Sequence, residues 1–224
     1  MVTIEEEVSA LIPEIIGIIE NKDIKTLHHA SGVQRYGSLI MEKLGLDEEY
    51  VSLFYTAAIF HDLGKIFWPD EFLNQHINLS LEQFTDVMKH PDSATHFLQM
   101  AGVDPRIIQA VRHHHERYDG DMQCKHPGYP DGLKGEQIPF LARILAVADT
   151  YEALTSGRPY RDAIAKMTAL AIIESEKGKQ FDPIVVDALW AAIIDFEKKK
   201  QSDIVFLSEI DFYTGCRINA IPAV

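Results

Sequence analysis

Seven side chains of the kinds that bind transition metals lie along the chain, most of them in or beside largely apolar segments. They are His29, His61, Asp62, His90, His114, His115 and Asp149. Asp62 follows the apolar run at 51–60, and Asp149 lies inside the apolar segment at 141–154. An ionised carboxylate is costly to bury without a partner, so both should meet a cation, a metal or strong hydrogen-bond donors. Together these residues indicate a buried metal site.

Each of these residues alone has a simpler structural interpretation. A single helical histidine is more often a hydrogen-bonded core residue than a ligand, and Asp149 alone could cap a helix or pair with a cation. The three adjacent histidines at 113–115 could form a solvated helix end. Only the conjunction of a His-Asp pair, a His-His pair and a buried aspartate favours the metal interpretation.

The elements that must position these side chains are helices. Apolar residues recur at three- and four-residue spacing, and strand-like alternation is almost absent, so the sequence predicts an all-α fold. Ser80 with Gln83 forms a capping box, and the pairs at 104–105 and 182–183 each place an aspartate before a proline, as at helix starts. The predicted helices run at about 4–20, 25–44, 48–64, 81–89, 92–101, 105–117, 139–156, 163–177 and 183–199. In the third helix, the four-residue spacing of His61 and Lys65 predicts that both lie on one face, with Asp62 beside it.

Composition limits the kinds of protein this can be. With 224 residues, 46% of them hydrophobic, the chain can form one globular domain. A net charge of -13 argues against a general surface for polymeric nucleic acid or an anionic membrane. The two cysteines, Cys124 and Cys216, form no paired motif, and the N-terminus has no signal-peptide pattern. We therefore expect a soluble, cytoplasmic protein.

Two segments lack a clear helical period. Residues 118–139 are rich in Gly, Pro and Asp, and so long a connection inside a compact domain is usually functional. We predict that it is an active-site loop. The apolar tail at 203–224 has no predicted place in the fold.

Five segments in order resemble the motifs of the HD-GYP family, a branch of the HD superfamily made up of bacterial phosphodiesterases that hydrolyse cyclic di-GMP. They are "HDLGK" at 61–65, "HHERYDG" at 114–120, "GYPDGLKGEQIP" at 128–139, "ARILAVADTYEALTSGRPYR" at 142–161 and "FDP" at 181–183. The resemblance implies a single HD-type helical bundle, with a dinuclear metal site in its core and the Gly-Tyr-Pro loop over the pocket. The expected organisation is an N-terminal helix at 1–24, the catalytic domain at 25–200 and a tail of unknown role at 201–224.

The resemblance also assigns roles to individual residues. It makes metal ligands of His29, His61, Asp62, His90, His114, His115 and Asp149, with Asp62 bridging two ions. His113, His28, His76 and His96 are not used by the family pattern. Asp62 and Lys65 are the expected catalytic residues, and the expected substrate contacts are Lys65, Tyr129, Arg158 and Arg161.

The implied reaction is hydrolysis of cyclic di-GMP to pGpG, GMP or both by attack of a metal-bridging hydroxide. Mixed imidazole and carboxylate ligands suit Fe, Mn, Ni or Zn. Of these, two ions of Fe or Mn are the expected cofactors, with Ni or Zn as alternatives. The substrate would be a small anion held by local cations, not a polymeric nucleic acid. A phosphohydrolase of another nucleotide, including a mixed cyclic dinucleotide, and an inactive cyclic di-GMP-binding module are the alternatives. Regulation in trans or through a homo-oligomer is a further hypothesis.

Three departures from the family pattern qualify these expectations. Lys25 replaces the glutamate that precedes the first histidine in members with a third metal, so we predict two metals. Residues 121–127 form an insertion that could alter substrate choice, and Cys124 or His126 within it could supply an extra ligand. Gln75 replaces a lysine and so removes one candidate phosphate contact.

Overall fold

The computed structural model describes residues 4–68, 80–157 and 163–214, and in these residues the chain forms helices. The eight α-helices are α1 Ile4–Leu44, α2 Glu48–Phe60, α3 Leu81–Val87, α4 His90–Met100, α5 Pro105–His113, α6 Phe140–Thr155, α7 Lys166–Ser175 and α8 Pro183–Thr214. Short 3-10 helices occupy Leu63–Phe67 and Gly135–Gln137. An isolated bridge between Lys177 and Phe181 is the sole β-type pairing among the described residues. The all-α prediction is confirmed.

The three helix starts read from the sequence are present. The Ser80 hydroxyl accepts from the Gln83 amide at 3.2 Å, and the Gln83 side chain accepts from the Ser80 amide at 2.9 Å. Asp104 accepts from the Arg106 amide at 2.8 Å. Asp182 accepts from the Ile184 amide at 2.9 Å, and a proline follows each aspartate. These caps therefore formed as predicted because each depends only on neighbours in the sequence.

The predicted break between residues 20 and 25 is wrong, because α1 is one helix of 41 residues. Asn21 and Lys22 are exposed, so this polar stretch marks a solvent-facing side of the helix and not a turn. The stretch at 21–25 contains no Gly or Pro that would end the helix. The domain division expected between residues 24 and 25 falls within α1 and stays a prediction.

The ends of α2 and α8 also differ from the prediction. Helix α2 ends at Phe60, and the chain passes through Asp62 at φ -98° and ψ 5° into the 3-10 turn that carries Lys65. A Cβ atom at Gly64 would overlap the His90 carbonyl oxygen, so glycine here lets that turn pack against the start of α4. Helix α8 continues to Thr214, since no helix-breaking residue occurs before Gly215.

Helix α6 lies at the centre of the bundle and packs against α1, α2, α5, α7 and α8. Its buried residues occupy most of its circumference, and Tyr151 is its largest fully buried side chain. Phe54 and Phe60 from α2 complete this part of the core. A carboxylate on α6 is therefore held inside the protein, which is where the sequence predicted Asp149 to be.

Within the described residues, none of the helices combines the length and apolarity that a membrane span requires.

Candidate metal centre

The seven residues predicted as ligands come together in one cluster. His29 comes from α1, His61 and Asp62 from the end of α2, His90 from the first position of α4, and Asp149 from α6. His114 and His115 follow the end of α5, which stops at His113 and not at residue 117 as predicted. The rings form a continuous series, with centroid separations of 5.2 Å for His29–His61, 5.3 Å for His61–His114, 5.5 Å for His90–His114 and 5.0 Å for His90–His115.

Three of these imidazoles are oriented in the same way. In each of His61, His90 and His114, Nδ1 donates to the backbone carbonyl three residues earlier. The acceptors are Ala58, Val87 and Val111, at 2.8, 2.7 and 2.7 Å. Because a carbonyl oxygen can only accept, Nδ1 carries a proton, so in the neutral ring the lone pair lies on Nε2. Each Nε2 is buried, and none has a hydrogen-bond partner within the described part of the chain.

Bound cations would satisfy these three nitrogens. Buried polar atoms without partners are costly, and metal-binding histidines commonly donate their other ring nitrogen to a carbonyl or carboxylate. The donor set of imidazoles and carboxylates therefore fits transition-metal ions.

The ligand atoms divide into two groups, with Asp62 between them. His29, His61 and Asp149 form one group and His90, His114 and His115 the other, each with its ligand atoms within 4.8 Å of one another. Asp62 Oδ2 lies 3.4 Å from His61 Nε2, and Asp62 Oδ1 lies 3.5 Å from His90 Nε2. One carboxylate thus presents one oxygen to each group, as a bridging ligand would.

His29 lies between two carboxylates. Its Nε2 is 2.9 Å from Asp149 Oδ1, and its Nδ1 contacts Glu152 Oε2. Burial lowers the pKa of His29, but the hydrogen bonds to Asp149 and Glu152 outweigh burial and raise it to about 10. Burial likewise raises the pKa of Asp149, but its hydrogen bond to His29 and the charge of His29 hold that pKa well below its usual value. The charged ring of His29 therefore lies between the carboxylates of Asp149 and Glu152, an environment that favours positive charge.

Lys65 is the second cationic side chain at the cluster. The sequence predicted that it shares a helix face with His61, but it lies in the 3-10 turn that follows α2. Its ammonium donates to Asp62 Oδ2 at 2.5 Å across an i,i+3 spacing, because the 3-10 turn brings Lys65 over the carboxylate. Burial raises the pKa of Asp62, but the charge of Lys65 and contacts with His61 and His90 hold it well below its usual value. Burial lowers the pKa of His90 to about 3 and of His115 to about 4, so both rings are neutral near pH 7.

The Gly-Tyr-Pro loop lies against the second group. The Tyr129 ring stacks on His115 at 4.7 Å with a 30° interplanar angle, and its amide donates to the His115 carbonyl at 3.2 Å. The buried Glu116 carboxylate accepts from the amides of Asp131 at 2.7 Å and Leu133 at 3.1 Å. Glu116 directly follows His115, so it ties the loop to the ligand pair.

The remaining predicted site residues are placed as follows. Arg158, Arg161 and Gln75 lie outside the described residues, as does the side chain of Lys25. Cys124 and His126 belong to no metal-ligand group found among the described residues.

Two functional candidates were missed by the sequence reasoning. Glu152 lies three residues after Asp149 on α6, a spacing that predicts a shared helix face and could have drawn attention to it. Glu116 gave no such signal, because its partners lie 15 and 17 residues further along an irregular loop.

A third group of ligand-type atoms comprises His113, Glu116 and Asp131. Its carboxylates already have partners, since Glu116 accepts the loop amides and Asp131 pairs with Arg112 at 2.8 Å. This group therefore serves to hold the loop.

The helical bundle brings five imidazoles and two carboxylates together in one cluster in its core. This arrangement is typical of helical domains that bind metal ions. The chain belongs to the HD domain family, whose sequence model matches residues 14–185.

Two curated relatives show the range of names in this family. The chain is 40% identical over 191 residues to the cyclic di-GMP phosphodiesterase response regulator RpfG of Xanthomonas campestris, covering 83% of this chain and 48% of that protein. It is 29% identical over 171 residues to 3'3'-cGAMP-specific phosphodiesterase 1 of Vibrio cholerae, covering 76% of this chain and 38% of that protein. The chain thus spans less than half the length of these relatives.

Among solved structures, Bd1817, an HD-GYP-type protein of Bdellovibrio bacteriovorus, superimposes with a TM-score of 0.58 at 22% identity. The match covers 72% of this chain and 50% of that one. This likeness shows the shared fold. With the family match and the curated relatives, it confirms the resemblance to the HD-GYP family.

Proposed function

We propose that this chain is a metal-dependent phosphodiesterase that hydrolyses cyclic di-GMP to pGpG, GMP or both. The observation that carries the proposal is the position of Asp62, whose two oxygens face two separate groups of ligand atoms. Two divalent cations held there would act as Lewis acids, neutralising charge on the phosphoryl oxygens and generating the nucleophile from water near neutral pH. Carbonyl-oriented imidazoles and a shared carboxylate are what such a pair of ions requires.

The residues proposed to hold the ions are those predicted from the sequence. One ion would take His29, His61 and Asp149, the other His90, His114 and His115, and both would share Asp62. Five imidazoles with two carboxylates favour Fe or Mn, with Ni or Zn as alternatives. The proposed location is the cytoplasm, a reducing compartment in which cysteine thiols persist.

Lys65 is proposed to bind the substrate phosphate. Its side chain is 29% exposed while that of Asp62 is 6% exposed, so the ammonium connects the buried carboxylate with the solvent side of the cluster. Once cations neutralise Asp62, the lysine charge is available to a phosphoryl oxygen. This local charge explains how a protein of net charge -13 could act on an anion.

Tyr129 is also proposed to contact the substrate, since its ring stacks on His115 at the edge of the cluster. Burial raises the pKa of its hydroxyl, which therefore stays protonated and can donate a hydrogen bond to a phosphate or a base. Arg158 and Arg161 stay predicted phosphate contacts.

A second candidate substrate is a mixed cyclic dinucleotide. The name of the Vibrio relative supports it, and so does the insertion at 121–127, which is largely exposed and directly precedes the Gly-Tyr-Pro loop. Cyclic di-GMP remains first because RpfG, at higher identity, is named for it. A homo-oligomer or a regulatory partner in trans stays a prediction.

The test is hydrolysis of a panel of cyclic di-GMP, 3'3'-cGAMP and nucleoside monophosphates by Mn-loaded protein. We expect turnover of a cyclic dinucleotide, and loss of both turnover and bound metal in Asp62→Ala. Asp86→Ala is the matched control, because Asp86 also pairs with a lysine at i,i+3 but is exposed. Turnover of monophosphates alone would shift the proposal to another phosphohydrolase. Binding of cyclic di-GMP without hydrolysis would support the inactive module.

A further inference from the structure

His29 is held differently from the other oriented histidines of the cluster. His61, His90 and His114 donate from Nδ1 to backbone carbonyls, whereas Nδ1 of His29 contacts the carboxylate of Glu152. A carboxylate acceptor makes the opposite ring nitrogen a stronger electron donor than a carbonyl does. The four imidazoles are therefore unequal as potential ligands.

The residues around Glu152 hold its carboxylate beside His29. Its side chain is buried, and it lies one turn after Asp149 on α6. The Ser156 hydroxyl contacts Oε1, which leaves Oε2 directed at His29. Across the interface, a Cβ atom at Gly32 would lie 2.5 Å from Glu152 Cγ. Glycine at that position, three residues after His29 on α1, thus provides the space that Glu152 occupies.

We propose that Glu152 is a positioning residue that selectively strengthens metal binding at the His29–His61–Asp149 position. It does so by fixing the ring orientation of His29 and increasing the donor strength of Nε2. At the second position, Nδ1 of His90 and Nδ1 of His114 donate to backbone carbonyls, so neither ring has a carboxylate in the role of Glu152. The inference depends on His29 being a metal ligand, as the proposed function has it.

The test is Mn²⁺ binding to Glu152→Gln, measured by competition with a chelator and by metal content per chain. Glutamine keeps the shape of the side chain but removes its charge. We expect one of the two ions to bind about 10- to 100-fold more weakly, and the other to bind as in the wild type. Content after mild chelation should then fall from about two ions per chain to about one, the stoichiometry expected for a two-metal site.

A second variant perturbs the same contact without removing the carboxylate. Gly32→Ala should displace Glu152 and weaken the same ion. Asp182→Asn is the matched control for loss of a buried carboxylate. Asp182 pairs with Arg143 and caps α8, away from the cluster, so this variant should lower thermal stability and leave both metal affinities unchanged.

The outcomes separate this inference from the proposed function. Wild-type affinity for both ions in Glu152→Gln and Gly32→Ala would overturn the role of Glu152, as would equal weakening of the two ions. Full metal content in Asp62→Ala would instead overturn the proposed site itself. If Glu152→Gln does not fold, Gly32→Ala decides by the same measurement.

Discussion

Replacing Lys65 with methionine should destabilise the protein much more without metal than with it. Methionine keeps the unbranched side chain and removes the charge that neutralises Asp62. The ammonium lies 2.5 Å from Asp62 Oδ2, and the Asp62 side chain is only 6% exposed. Breaking a buried pair by removing one partner costs about 3–5 kcal/mol. Because Lys65 is partly exposed, the lower end of that range, about 3 kcal/mol, applies.

This free energy converts into a measurable shift in melting temperature. For a chain of this size, about 1 kcal/mol lowers Tm by roughly 2–4 °C, so Lys65→Met should lower Tm by about 6–12 °C after chelation. With saturating Mn²⁺, the cations neutralise Asp62 instead, and the shift should be less than about 3 °C. The assay is thermal unfolding of both forms, with metal content measured on the same samples.

Lys89→Met is the matched control for this comparison. Lys89 pairs with Asp86 at 2.7 Å across the same i,i+3 spacing, but both side chains are more than half exposed. Exposed pairs contribute less than about 1 kcal/mol, so its Tm should change little in either form. Equal Tm shifts for Lys65→Met with and without metal would refute the reasoning, and loss of bound metal would make Lys65 structural. In the loaded enzyme we expect unchanged metal content and a raised KM.

Three further predictions follow from the cluster and its loop. In chelated protein, the pKa values of His90 and His115, about 3 and about 4, lie below the unfolded value of 6.5. Between these values and pH 6.5 the unfolded chain therefore binds more protons than the folded chain. The free energy of unfolding should fall as the pH drops below 6.5, by up to about 1.4 kcal/mol per group per pH unit. Equal urea midpoints at pH 6.5 and 5.5 would contradict this. The raised pKa of His29 acts in the opposite sense, so its contribution is present below pH 6.5 and declines towards pH 10. Glu116→Gln should cost about 1–3 kcal/mol in urea unfolding, because it weakens two buried acceptor contacts, and an unchanged midpoint would argue against its role in holding the loop. Tyr129→Phe should raise the KM for cyclic di-GMP about tenfold, because it keeps the ring stacked on His115 but loses the hydroxyl proposed to donate to the substrate; a wild-type KM in the Phe variant would contradict that contact.

The residues of the cluster could be singled out from the sequence because the chemistry of their side chains conflicts with their apolar surroundings. Asp62 follows an apolar helical segment and Asp149 lies inside one, and an ionised carboxylate is costly to bury there without a cation, a metal or strong hydrogen-bond donors. The helix caps at Ser80 and Asp104 could also be predicted from the sequence, because each joins residues only two or three positions apart.

What the sequence did not show depends on contacts between distant segments. The position of Lys65 over Asp62 follows from a 3-10 turn that Gly64 permits against His90, a contact across 26 residues. Glu152 meets His29 across 123 residues, and nothing in a single sequence records that approach. The continuity of α1 was missed because polar residues mark an exposed helix side and a turn alike.

The most direct test of the account is to titrate Mn²⁺ into chelated, anaerobically purified protein while counting bound ions and measuring cyclic di-GMP hydrolysis. We expect turnover to appear as the second ion binds and to reach its maximum at about two ions per chain. Maximal turnover at one ion per chain, or two bound ions with no hydrolysis of any cyclic dinucleotide, would contradict it.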